Sequence, residues 1–226
     1  MTRSLTPALI LVAGCSNAPV QPVASNTLST SAIELTASIR SDGSLAQMFV
    51  TPIQGEGGYA ITLTGGDALL VSVGGGPDQP LARFESQYLG QLPTGAVDFE
   101  IIFLRKSMRI ASAITLPPPF ALAGPAAPAS RSQPIPITWD AGTGSYATSL
   151  QITAPCLTRI IARKLEPDPG AFSIQPADLF VSPGTGPCDF KVELTRSFAG
   201  KMAPELDPSS GASASQIRTV TIPTVP

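Results

Sequence analysis

The chain has 226 residues, of which 43% are hydrophobic and only 13% charged, roughly half the usual charged share and too little for long solvated helices or polyelectrolyte tails. Its 24 prolines and 20 glycines interrupt long helices and suit short strands joined by turns. A net charge of -2 and the absence of histidine exclude electrostatic nucleic-acid binding, Ser-His-Asp and Cys-His catalysis, and metal sites built on imidazole.

Residues 1–14 read as an export leader. Arg3 supplies one positive charge, and residues 5–14 (LTPALILVAG) form a short apolar run. Ten residues rise about 15 Å as a helix, half the hydrocarbon depth, which suits a signal peptide and not a membrane span. The run ends in Leu11-Val12-Ala13-Gly14-Cys15: an aliphatic residue three places before a cysteine, then two small residues. This segment resembles the lipobox of bacterial lipoproteins. The resemblance implies that Cys15 becomes the lipidated first residue of the mature chain, attached to the membrane through acyl chains. In that family an aspartate after the cysteine retains the protein at the inner membrane. Ser16 stands there instead, which implies a cell-envelope location at the outer membrane. The alternative is an ordinary secreted protein cleaved after Gly14 or Ala18. Residues 15–31, the lipidated cysteine followed by SNAPVQPVASNTLSTS, carry no charge and no periodicity. They are expected to form a flexible tether spanning about 20–24 Å.

Residues 32–118 are dominated by period two. Ile33, Leu35, Ala37 and Ile39 alternate with Glu34, Thr36, Ser38 and Arg40; Tyr59, Ile61 and Leu63 repeat the pattern, as do Leu69, Val71 and Val73. Val97, Phe99, Ile101 and Phe103 form a further apolar face, and Ile110, Ile114 and Leu116 the next, after a short turn at Lys106-Ser107. The turns Ser41-Asp42-Gly43-Ser44, Gly55-Glu56-Gly57-Gly58 and Gly74-Gly75-Gly76-Pro77 separate them. This is the spacing of an antiparallel sandwich. Pro117-Pro118-Pro119 cannot lie inside a central strand and marks the boundary to a second domain, residues 119–226.

There Ile135, Ile137 and Trp139 alternate, Tyr146, Thr148, Leu150 and Ile152 share one face, and Cys188, Phe190, Val192 and Leu194 share another. Val220 and Ile222 lie in a last strand. With Cys15 assigned to lipid, Cys156 and Cys188 remain, and a pair in an exported chain reads as one disulfide. Closing a loop of about 30 residues, it stabilises by roughly 3–4 kcal/mol in the chain-entropy model. Parity points both sulfurs inward, as an inter-sheet bridge needs; two buried free thiols are the alternative.

Two segments resemble immunoglobulin and fibronectin type III sandwiches. Residues 92–101 (LPTGAVDFEI) are similar to the corner-then-strand segment of those folds, with Phe99 where a tyrosine often sits. Residues 134–140 (PIPITWD) place Trp139 near the end of an early strand. Trp139 precedes both cysteines, so the match is to the broad architecture. The expected fold is all-β: two tandem antiparallel, immunoglobulin-like β-sandwiches after a signal peptide and tether.

Few residues suggest chemistry. The glycine-rich turns lack the lysine and following helix of a phosphate loop. Glu166 and Asp168, spaced by prolines, read as a rigid turn before they read as a calcium site, and Asp98 and Glu100 as a solvated strand face before an acid/base pair. Arg105, Lys106 and Arg109 gather three cations at one hairpin, a candidate contact for anionic lipid or acidic polysaccharide, or a solvated loop. No C-x-x-C spacing and no Ser-x-x-Lys motif occurs. The sequence therefore predicts no catalytic residue, metal or cofactor. It predicts a non-catalytic, lipid-anchored envelope protein acting as a structural or binding module, with an envelope protein or glycan as partner. The alternatives are an accessory subunit of a secretion or adhesion assembly, where a sheet edge takes up a partner strand, and a carboxylate-dependent hydrolase.

Overall fold

The computed structural model describes residues 21–95 and 97–226, so the leader and Cys15 lie outside the described residues. The first half contains β1 (Val23–Ala24), β2 (Ile33–Ser41), β3 (Ala46–Gln54), β4 (Ile61–Thr62), β5 (Ala68–Val73), β6 (Gln79–Pro80), β7 (Ala82–Phe84), β8 (Gln87–Leu92), β9 (Asp98–Arg105) and β10 (Met108–Thr115). The second half contains β11 (Leu122–Ala123), β12 (Ala129–Ser130), β13 (Ile135–Trp139), β14 (Ala147–Thr153), β15 (Ile161–Lys164), β16 (Ala171–Ile174), β17 (Cys188–Gly200) and β18 (Gly211–Val225). The described helical segments are single 3-10 turns, Ser25–Thr27, Thr30–Ala32 and Pro176–Asp178. The protein is all-β.

Each half is a two-layer sandwich, and each layer follows from strand parity. In the first, the sheet β10-β9-β5-β6 turns Leu69, Val71, Phe99, Ile101, Phe103, Ile110 and Ile114 onto Ile33, Leu35, Ile39, Met48, Val50 and Tyr88 of β2, β3 and β8. In the second, β11-β13-β16 packs Ile135, Ile137, Trp139 and Ile174 against Leu150, Ile152, Phe190, Val192, Leu194 and Ile222 of β14, β17 and β18. Phe99 is buried, filling the corner as an apolar side chain.

The two sandwiches share a sheet. β17 and β18 pair antiparallel from Cys188↔Thr224 to Gly200↔Ala212, and the start of β18 pairs parallel with β2, from Gly211↔Thr36 to Gln216↔Ser41. One nine-stranded sheet results, ordered β15-β14-β17-β18-β2-β3-β8-β7 with β12 beside β18. Apart from the two-residue β12, which pairs parallel with the end of β18, the strands within each face are antiparallel, and the join between the sandwiches is parallel. The hairpin also crosses the first core: Ala203, Leu206 and Ala214 are buried there, and Lys201 N–H donates to Ala113 O of β10 (2.9 Å). Gly200 permits this approach, since a Cβ there would lie 3.0 Å from Ala113 O and 2.9 Å from Ala212 Cβ. A division at Pro117–Pro119 thus leaves residues 200–216 on the far side of the boundary from the core they complete.

Three further expectations change. The segment expected as tether is docked from Val23 onward: β1 pairs parallel with β4, and buried Ser25 accepts at Oγ from Thr64 N–H (2.9 Å). Only Ile61–Thr62 of the expected Tyr59–Leu63 strand is regular, with Tyr59 exposed. The Cys156–Cys188 disulfide is present, with its Cα atoms 6.3 Å apart, but it does not cross between sheets. Cys156 lies in the turn after β14, and β14 and β17 are neighbours, so the bridge closes the end of one sheet.

Leu206 is 2% exposed and belongs to the first core although it lies late in the chain. Leu206→Ala should cost about 2–5 kcal/mol and, because the hairpin is continuous, lower the denaturation midpoint reported by Trp139 in the second sandwich. A Trp139 midpoint that stays fixed would show that the sandwiches unfold independently.

Candidate functional site

The three cations singled out at the β9–β10 hairpin do not form one surface. Lys106 (φ 48°) and Ser107 (φ 68°) make the two-residue turn, as a right-twisted hairpin requires. Arg105 has the parity of Phe99, Ile101 and Phe103 and is buried. Its Nη2 donates to Ser25 O (3.1 Å) and to Leu28 O, and its Nε lies 4.0 Å from the Asp67 carboxylate. It clamps the N-terminal segment onto the sandwich and is not available to an anionic surface. Arg109, on the outer face, is paired with Glu100 (2.7 Å) and Asp78 (3.3 Å). Asp98 accepts from Thr115 Oγ1 (3.1 Å), so Asp98 and Glu100 have separate partners. Lys106 alone of the three is exposed without a carboxylate partner among the described residues.

The most elaborate polar site is one that sequence reasoning treated as a turn. Asp168 accepts from Trp139 Nε1 (2.7 Å), Gly170 N–H (3.1 Å), Gly142 N–H (3.3 Å) and Thr148 Oγ1 (3.4 Å). Arg196 approaches it through Nε (2.8 Å) and Nη2 (2.7 Å), and both side chains are buried. Arg196 also donates to Asp140 O and lies over the Phe120 ring, 4.4 Å from its centroid. Burial pushes the Asp168 carboxyl up, but the Trp139, Gly170 and Arg196 donors outweigh it and hold it below its ordinary 3.8. Its lone pairs are occupied by these donors, so the carboxylate anchors loops and is not free to bind a cation. An open groove of about 610 Å³ runs beside it, between residues 142–147 and 166–168. Parity signals Arg196, which continues the inward face of Phe190, Val192 and Leu194.

At the far end of the second sandwich, buried Arg131 donates to Thr185 O (2.9 Å), Gly186 O (3.0 Å) and Cys188 Sγ (3.4 Å). Thr158 N–H donates to Phe180 O (2.8 Å). Arg159 stacks on the Phe180 ring at 3.2 Å, and Ile160 and Phe180 are exposed. Among the described residues no group of three or more His, Cys, Asp or Glu side chains converges as a metal site, and no helix is long and apolar enough to cross a membrane.

No family model matches the chain, and no curated protein does. Solved structures align at low similarity. A Ca2+-stabilized adhesin that helps an Antarctic bacterium reach out and bind ice aligns at 10% identity and TM-score 0.28 over 85% of this chain and 49% of the adhesin chain. The FN1-FN3 domains of chicken CNTN1 align at 9% identity and TM-score 0.33 over 91% and 68%. A Salmonella alpha-2-macroglobulin mutant aligns at 12% identity and TM-score 0.28 over 98% and 16%. This chain therefore spans about half of the adhesin chain.

Asp168→Asn keeps an acceptor for Trp139 but strands the buried Arg196 charge. It should cost about 3–5 kcal/mol in chemical denaturation followed by Trp139 emission. Because the native carboxyl is depressed, its contribution is complete above the ordinary 3.8 and fades as pH falls through the lower native value. The Asn variant should lose that acid-limb dependence. A variant as stable as wild type at neutral pH would refute the anchoring role.

Proposed function

We propose that the protein is a non-catalytic, lipid-anchored component of the bacterial cell envelope, held through Cys15 at the outer membrane and serving as a structural or binding module. The observation that carries this reading is how its buried charges are used. Asp168 and Arg196 tie loops together, Arg105 holds the N-terminal segment beside Asp67, and Arg131 holds the disulfide end through carbonyls. Charged groups at a catalytic centre face a cleft with capacity to spare; here most donors and acceptors of these side chains are taken up by the fold, Asp67 Oδ2 and Arg105 Nη1 being buried without a hydrogen-bond partner. The disulfide supports passage through an oxidising compartment. Docking from Val23 leaves eight residue steps from Cys15, at most about 28 Å of chain. The first sandwich, onto which Val23 docks, would sit close to the bilayer. An accessory role in an envelope assembly is the second reading, favoured by the open outer edge of β15 at the end of the nine-stranded sheet.

Cys15→Ser removes the acceptor thiol and should move the protein from the membrane pellet to the soluble fraction. Several acyl chains at about 0.8 kcal/mol per buried methylene otherwise hold it stably. A Ser variant that pellets with membranes as wild type does would overturn the anchor.

A further inference from the structure

We propose that the outer edge of β15 docks an extended, acidic segment of a partner protein, which adds a strand to the nine-stranded sheet. The proposal rests on the reading of the chain as an envelope binding or assembly module, and it names the partner's chemistry. β15 ends the sheet order and pairs only with β14. Leu165 N–H donates inward to Thr148 O. Alternation along an antiparallel pair then turns the amides and carbonyls of Arg163 and Ile161 toward β14 and those of Lys164 and Ala162 outward. Arg163 Nη1 donates to Ala162 O (3.0 Å), in agreement with an outward carbonyl.

Charge decides the occupant. Arg159, Arg163 and Lys164 fall within six residues of a chain that has 14 cations in all. Arg163 is paired with Asp178 (2.8 Å), whereas Arg159 and Lys164 are exposed and have no carboxylate partner among the described residues. A second copy of this edge would set like charges against each other, a device that blocks edge-to-edge self-pairing. An acidic strand meets complementary charge instead. A hollow of about 150 Å³ at the start of the edge, lined by Thr153, Ala154, Leu157, Thr158, Arg159 and Ile160, offers room for an apolar side chain. Ile160 is 58% exposed beside it.

The other edges are closed or different. β10 is bridged by Lys201 at Ala113, and its Ser112 hydroxyl accepts from Ala203 N–H. β6 contains Pro80. β7 is three residues long, with Arg83 held by Glu85 O and Thr62. β16 carries no charge.

The test uses the mature chain and two labelled eight-residue probes, one alternating Val with Asp and one alternating Val with Lys. Fluorescence anisotropy should show saturable binding of the Val-Asp probe, weakening with salt, and none of the Val-Lys probe. Hydrogen exchange at Ala162 and Lys164 should slow when the Val-Asp probe binds. Ala162→Pro deletes an outward N–H, which an edge strand tolerates, and should abolish binding. The double change Arg159→Glu with Lys164→Glu leaves the backbone intact and should weaken binding by about tenfold. No saturable binding, equal binding of both probes, or binding undiminished in both variants overturns the proposal. So does a concentration-dependent dimer lost on Ala162→Pro, which would make a second copy the occupant. Membrane fractionation of the Cys15→Ser variant does not depend on this edge, so failure here and failure of the anchor are read separately.

Discussion

The β17–β18 hairpin runs through both sandwiches and holds them in one sheet. Its two strands stay paired over 13 positions, and a 15-residue strand is about 50 Å long, enough to run through two sandwiches. One end supplies Phe190, Val192, Leu194 and Ile222 to the second core. The other supplies Ala214, and the turn beyond it Ala203 and Leu206, to the first. Side chains along this end of β18 are small (Ala212, Ser213, Ala214 and Ser215), and β10 passes close by, a Cβ on the paired Gly200 falling 3.0 Å from Ala113 O and 3.2 Å from Ile114 Cβ. The linker after Leu116 therefore joins two bodies that already share a sheet.

Between the cores the hairpin is polar, and that belt fixes how they meet. Buried Gln216 accepts from Arg218 Nη1 (3.0 Å), whose Nε donates to Phe120 O (3.0 Å). The Phe120 ring lies within 4.4 Å of the Arg196 guanidinium and 5.3 Å of that of Arg218. Arg218 also packs on Gly43, whose φ of 97° belongs to the β2–β3 turn. Burying such groups costs several kcal/mol per ion unless each donor finds an acceptor. The acceptors here come from the linker (Phe120 O), the first sandwich (Ser41 O, 3.5 Å from Arg218 Nη1) and the second (Asp140 O, which accepts from Arg196), so the cost is offset only when all three are in place.

Much of this was legible in the sequence where the pattern is local. The alternation from Ile33 to Ile39 became β2 with its odd residues inside, and Ile135, Ile137 and Trp139 fell on the inner face of β13 as read. Two buried arginines were readable by the same rule, since Arg105 and Arg196 continue inward faces; charge made a surface role the easier reading of Arg105, and Arg196 was passed over. β3 was obscured by Pro52, and β8 by Gly90 and its glutamines. The parallel pairing of β18 with β2 joins segments about 175 residues apart, and no local periodicity encodes a partner at that distance. The docking of Ser25 and Leu28 was hidden for a related reason: Arg105 and Thr64 supply the contacts, while the segment itself is small and polar. Parity gave the inward direction of both cysteines but not which strands are neighbours.

Native-state hydrogen exchange along β18 tests whether one hairpin makes the two sandwiches a single cooperative structure. The amides near Ala214, beside the first core, and near Ile222, in the second, should open with the same free energy and respond equally to denaturant. Amides near Ala214 that exchange through a separate, much less costly opening while those near Ile222 stay protected would contradict it.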